Sequence, residues 1–199
     1  MGKLETLADV RIKNHIKEIL MYIGETPDRE GLKDTPDRIV LMLAEIFRGY
    51  SKSQKPKITT FPNGADGLTY SDIIIDSGKF YSMCEHHMMP FFGTYHFAYI
   101  PHPKGKILGL SKIARVVDFH AARLQIQERL ITDIVTDIRT ALDCNHKPLG
   151  IAIKITAEHL CKSMRGVKKQ GVMTNIYREG AFENKEIMNE FLELTKDLQ

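Results

Sequence analysis

The apolar positions of the first fifty residues fall at helical spacing. Leu4, Leu7, Val10, Ile16, Ile19, Leu20 and Ile23 recur three and four apart, which predicts a helix stopping near Gly24. A second helix is predicted with Asp34 or Thr35 at its cap, Pro36 in its first turn, and Ile39, Val40, Leu43, Ile46 and Phe47 on one stripe up to Gly49. The tetrapeptide TPDR occurs at residues 26–29 and again at 35–38. It is too short to be an architectural repeat and reads as two capping sites. Residues 52–67 are polar, with two prolines and two glycines, and predict a connector holding one short strand around residues 58–61.

Beyond residue 70 the period changes. Residues 72–81 and 94–101 read as strands, residues 111–124 and 127–142 as helices, and residues 151–157 as a cleanly alternating strand running into His159 and Cys161. A strand over residues 172–177 and a helix from about Asn184 close the chain. Strand, strand, helix, helix, strand, strand predicts an antiparallel sheet with two helices on one face, an α+β arrangement. A sheet covered on one side and open at its edges is expected to close against copies of itself, so the chain reads as a homo-oligomer. The expected organisation is a helical region at 1–50, a connector at 51–70 and a main domain at 71–199 that ends in the last helix.

Composition narrows the class. The chain has 199 residues, 43% hydrophobic and 27% charged, enough to bury a core without disulfides. Its three cysteines are an odd number and do not suggest a secreted disulfide framework, so a reducing cytoplasm is the expected compartment. The N-terminal stretch mixes charges into its apolar positions, unlike a signal peptide. The apolar run at residues 39–44 stops at Glu45, far short of the roughly 20 residues a bilayer needs, and no membrane partner is expected. The net charge of +3 is unevenly spread. Between Lys147 and Lys169 stand Lys147, Lys154, Lys162, Arg165, Lys168 and Lys169 against the single acid Glu158. Without zinc-finger spacing, an aromatic RNA-binding motif or a long basic run, that patch suits an anionic small molecule, and no nucleic acid is expected.

The densest group of metal-capable side chains is Cys84-Glu85-His86-His87, between two predicted strands. Cys84 and His87, three apart in a turn, can face one ion, and Cys161 at the end of the alternating strand is the third candidate. Two thiolates and an imidazole suit Zn²⁺, and three protein ligands leave one position for water, as catalytic sites do. Two other readings stay open at this point. Cys84 and Cys161 could be ordinary buried thiols, and a closed structural site would draw a fourth ligand from Cys144 or His120, although Cys144 reads as a bystander in a loop. His86 and His159 stand beside the proposed ligands, where acid/base groups serving a metal-activated water are needed. A nucleobase deaminase would carry H-x-E with P-C-x-x-C, and no C-x-x-C occurs in the chain.

Three blocks then carry a resemblance: SMCEHHMMPFFGTYHFAYIP at residues 82–101, GLSKIARVVDFHAARLQIQERL at 109–130 and AEHLCKSMRGV at 157–167. In this order they resemble the GTP cyclohydrolase I family, and the likeness extends from about Thr26 to the end, with DREGLKDTPDRI in its N-terminal part. The resemblance implies a tunnelling fold, a four-stranded antiparallel sheet with two helices on one face and an N-terminal helical extension. It implies Cys84, His87 and Cys161 as zinc ligands, and His86 and His159 as the histidines that assist attack of water on C8 of the guanine ring. Gln127 and Glu128 match purine-recognising positions, and Ser111 the serine of the ribose rearrangement. Lys112, Arg115, Arg165 and Arg38 match cations that hold the triphosphate.

The implied reaction hydrolyses cyclic amidine C–N bonds. GTP is opened, formate is released and the product recloses to 7,8-dihydroneopterin triphosphate, the first step towards tetrahydrofolate and other pterins. The implied assembly is a decamer of two pentamers with interface active sites. The chain departs from the family pattern at residues 173–182, MTNIYREGAF, which lack the usual Thr-Ser pair and are one residue short before Gly-x-Phe. Leu41 also stands where many members carry a basic residue.

Overall fold

The computed structural model describes residues 6–143 and 145–198, so Cys144 lies outside the described residues. The chain divides into two compact units, Met1–Arg48 and Gly49–Gln199. In the first, α1 (Leu7–Tyr22) packs on α2 (Thr35–Ile46). A capping box starts α1, with Thr6 and Asp9 each accepting from the other's backbone N–H. Asp34 is the N-cap of α2, yet its carboxylate makes no capping hydrogen bond and instead accepts from Arg38. The first TPDR starts no helix: residues 27–34 are turns, and Arg29 pairs back to Glu25.

The second unit opens with two short 3-10 turns. The elements that follow are β1 (Thr60–Pro62), β2 (Ile74–Cys84), β3 (Pro90–Ile100), β4 (Lys106–Leu108), α3 (Lys112–Ala121), β5 (Leu124–Gln125), α4 (Gln127–Leu142), β6 (Gly150–His159), α5 (Leu160–Ser163), β7 (Val172–Gly180) and α6 (Lys185–Leu194). The main sheet has the order β5-β2-β3-β6-β7, and β1 pairs with β4 in a separate ribbon. β2, β3, β6 and β7 form the four-stranded antiparallel sheet expected of the tunnelling fold, with α3 and α4 on one face. The two-residue β5 adds a parallel edge at Met83 and Cys84. α6, capped by Asn184, covers part of the other face through Phe191 and Met188, against Ala98 and Ala152.

The core lies between the sheet and α3/α4. Leu130, Ile134, Ile138 and Leu142 form the stripe of α4 and are fully buried, each contributing about 1.5–3 kcal/mol by leaving water. They meet Ile151, Ile153, Ile155 and Ala157 of β6 and Phe91, Tyr95, Phe97 and Tyr99 of β3. β7 pairs with β6 residue for residue, from Glu158↔Val172 to Gly150↔Gly180, so residues 173–180 of the shortened segment form a regular strand and Ala181 and Phe182 pass into a 3-10 turn. Among the described residues, the outer edge of β7 and most of that of β2 have no strand partner.

Gly93 marks the tightest approach of β3 to β6. A Cβ there would stand 1.9 Å from the Thr156 carbonyl oxygen and 2.7 Å from the Ala157 Cα, both backbone atoms of the neighbouring strand. Gly93→Ala therefore has to push the strands apart, and we expect it to destabilise the fold by about 3 kcal/mol. Thermal unfolding measures this, and an unchanged Tm would show that the ladder yields without cost.

Candidate active site

The β2–β3 hairpin closes through Cys84, whose N–H donates to the Met89 carbonyl at 2.8 Å while its own carbonyl accepts from the Met88 N–H at 2.8 Å. Met88 takes the left-handed conformation, φ 51°, which costs a non-glycine residue about 1–2 kcal/mol. This tight loop turns Cys84 and His87 to the same side. Cys161 arrives from α5, directly after β6, and β6 ends beside the start of β3 because Phe91 pairs with His159. The hairpin and the end of β6 thus meet at one pole of the sheet.

At that pole one donor atom each from Cys84, His87 and Cys161 lies within 4.8 Å of the others. Cys84 is buried, Cys161 half-buried and His87 exposed, so the group is anchored in protein and open on one side. The Cys84 Sγ is 3.9 Å from the Nδ1 atoms of both His86 and His87. Burial, and after it the hydrogen bond that its S–H donates to the neighbouring Cys84 sulfur, pushes the Cys161 thiol above its ordinary pKa. Two thiols this close resist a second thiolate unless a cation stands between them, and two sulfurs with one imidazole suit a divalent ion with a vacant coordination position. The residues therefore fit a metal ion.

His159 is the most constrained side chain of the group. Its ring stacks on Phe91 at 4.6 Å between centroids and 2° between planes, and its Nε2 lies 2.8 Å from the Gln127 Oε1. Burial lowers its pKa, the Glu128 charge opposes that shift and the Lys162 charge adds to it. The net effect favours a neutral imidazole able to accept a proton. His86 is exposed, with Glu85 3.9 Å from its Nε2. Glu85 in turn pairs with Arg129 on α4, which bonds Gln125, so the loop is tied to the helix layer.

The sequence-predicted substrate residues fall into three places. Arg165 is at the metal-capable pole, with Nη1 3.0 Å from the His87 Nε2. Glu128 is exposed beside His159, whereas Gln127 is buried with its amide engaged inside the chain: Nε2 donates to the carbonyls of Ile155 and Met173 at 3.1 Å each. Ser111, Lys112 and Arg115 lie at the other end of β2. There Gly109, Leu110 and Ile113 share a cavity of about 120 Å³ with Ile74, Ile75 and Asp76. Cys84 ends the same 11-residue strand, on the order of 30 Å away at roughly 3.3 Å per residue. Arg38 belongs to the N-terminal unit, where it is exposed and pairs with Asp34 at 3.3 Å. His120, the spare metal candidate, is instead buried against Asp137 at 2.8 Å.

Sequence reasoning missed Phe91 as the platform for His159. Only the β3–β6 register reveals that role, since nothing in the residue type signals it.

The GTP cyclohydrolase I family matches residues 12–196. The GTP cyclohydrolase 1 of Thermoanaerobacter pseudethanolicus is 48% identical over 164 residues, 82% of this chain and 83% of that one. That of Clostridium kluyveri is 44% identical over 192 residues, 94% of this chain and 97% of that one. A solved structure of the archaeosine synthase QueF-Like in the apo form aligns with 55% of this chain and 94% of its own at 16% identity and a TM-score of 0.39, too slight a likeness to bear on the fold. No helix among the described residues is long and apolar enough to cross a membrane. With the family matching residues 12–196 and relatives 44–48% identical over most of their length, this chain belongs to the GTP cyclohydrolase I family.

Proposed function

We infer that the chain hydrolyses the imidazole ring of GTP at C8, releases formate, and carries the opened product through ribose rearrangement to 7,8-dihydroneopterin triphosphate. The observation that carries this reading is the convergence of Cys84, His87 and Cys161 within 4.8 Å of one another, with His86 and His159 alongside. Cys84, His87 and Cys161 would hold the zinc ion. Bound there, zinc supplies the Lewis acidity that makes water a competent nucleophile near neutral pH.

The chain's own side chains do the rest. His159, neutral and held by Phe91 and Gln127, takes a proton from the attacking water and can return it to a ring nitrogen as the C–N bond opens. His86, on the exposed side of the loop, is placed for a second proton transfer. The Glu128 carboxylate accepts from the guanine N–H edge, and the Arg165 guanidinium binds phosphate oxygens through its fork of donors. Ser111, Lys112 and Arg115 complete the site for ribose and triphosphate. Because they stand at the far end of β2 from Cys84, they serve a site completed by a neighbouring copy, which supports an interface active site. Among the described residues, the outer edge of β7 and most of that of β2 are unpaired, with Tyr81, Val172 and Ile176 exposed along them, which supports a sheet continued from chain to chain. A decamer of two pentamers is the assembly we propose, with the cytoplasm as its compartment.

Incubation with GTP, reading formate and the fluorescence of the oxidised pterin, tests the reading directly. We expect both products from the zinc-loaded protein, none from Cys161→Ser together with lost zinc, and none from His159→Ala with zinc retained. Full zinc occupancy in the wild type with neither product contradicts the function. Loss of zinc in His159→Ala contradicts the division between ligand and proton carrier.

Arg165→Ala is expected to weaken GTP binding by roughly 10- to 100-fold, the range for one lost charge-assisted hydrogen-bonding group, while guanosine binding stays within about threefold. Calorimetry with both ligands on zinc-matched samples measures the split, and equal losses argue against a triphosphate role.

A further inference from the structure

We propose that Gln127 is a positioning residue for His159, locking the ring with its proton on Nε2 and leaving Nδ1 to exchange protons with the reacting groups. The inference rests on reading this pole as the GTP-opening centre, and it gives Gln127 a different task from the purine recognition that the family resemblance implies.

The argument is one of donors and acceptors. The Gln127 Nε2 stands 3.1 Å from the Ile155 carbonyl oxygen on β6 and 3.1 Å from the Met173 carbonyl oxygen on β7. Carbonyl oxygens only accept, so the amide nitrogen must face them; turning the amide over would set its oxygen against both and lose two hydrogen bonds. The amide oxygen is thereby aimed at the His159 Nε2, 2.8 Å away. That oxygen also only accepts, so the ring nitrogen must donate. A neutral imidazole with hydrogen on Nε2 carries its lone pair on Nδ1.

Each part of the lock is built into the fold. Gln127 is the first residue of α4 and 1% exposed, so water does not compete for its amide. Ile155 and Met173 lie on adjacent antiparallel strands, two residues out of direct register, which places both carbonyls over one amide group. Phe91 stacks flat on the imidazole and fixes the plane in which the ring can lie. The amide has no donor left for a purine, and a buried glutamine in this state acts on the reaction through the histidine.

The same contacts join the C-terminal strand to the site. Met173 opens the segment that departs from the family pattern, yet it contributes a backbone carbonyl, which any residue other than one that breaks the strand supplies. The lock therefore tolerates the altered sequence of residues 173–182.

Gln127→Met keeps the volume and removes the amide. We expect the zinc content to be retained, kcat for GTP to fall about 10²-fold, as for a reacting group displaced by about 1 Å, and KM to change by less than about threefold. Purine recognition predicts the opposite: a loss mainly in KM, together with a weakened preference for GTP over inosine triphosphate. That pattern would overturn the proposal.

Solid-state ¹⁵N NMR of histidine-labelled, zinc-loaded protein reads the tautomer directly, with the His159 signals identified by their loss in His159→Ala. The proposal requires a protonated Nε2 and a bare Nδ1 in the wild type, and a mixed or reversed pattern in Gln127→Met. A wild type protonated on Nδ1 overturns it even if Gln127→Met does not fold. Because this measurement needs no turnover, a locked tautomer in a protein that leaves GTP unopened would support the lock and reject the function on which it was built.

Discussion

Everything at the candidate active site depends on the register of β3 against β6. Phe91 pairs with His159, and this single pairing sets the hairpin loop that carries Cys84 and His87 beside the turn that carries Cys161. It also stacks the two rings and brings His159 to the buried amide of Gln127. Side chains alternate between the faces of a strand, so a slip of one residue would turn His159 to the opposite face of the sheet and break the metal-capable group. The register is held by the core itself. Ile151, Ile153, Ile155 and Ala157 all face α4 on the same side as His159, and a slip would expose the whole row to the other face.

Rigidity at that pole has a source in the helix layer as well. The loop between β2 and β3 holds Met88 in a conformation that a free loop would abandon, and it persists because Cys84 is buried and Glu85 is tied through Arg129 to α4. Gln127, at the start of the same helix, grips β6 and β7. One helix N-terminus thus organises the hairpin, the last strand and His159. At the opposite end of β2, α3 begins with the other set of polar residues, Ser111 and Lys112. A strand of 11 residues separates the two sets.

Much of this was legible in the sequence where the signal was local. The stripe of α4 gave its bounds, residues 127–142, because four fully buried aliphatic residues recur at helical spacing. The alternation of β6 gave its core face directly. The metal-capable trio was legible because cysteine and histidine are scarce and chemically distinct. Elements that exist only through distant partners were not legible. β4 and β5 are three and two residues long and are strands only because β1 and β2 pair with them. β3 begins at Pro90, earlier than its pattern suggests, because Pro90 and Gly93 bracket the start of the strand with residue types that usually mark its end. The first TPDR looks like a helix cap, but Arg29 turns back to Glu25 and residues 27–34 stay in turns. Phe91 and the amide of Gln127 acquire their roles from register and burial, which no motif records.

We propose that each catalytic centre is assembled from the metal-capable pole of one chain and the α3 end of another. Subunit complementation tests it most directly. His159→Ala and Lys112→Ala are each expected to be nearly inactive alone, one lacking the proton carrier and the other a phosphate-binding cation. Co-assembled in equal amounts, they should regain about a quarter of wild-type activity, because about a quarter of the shared sites then receive an intact half from each chain. Co-assembled oligomers that remain as inactive as either parent would contradict the account, since both lesions would then fall within the same chain's site.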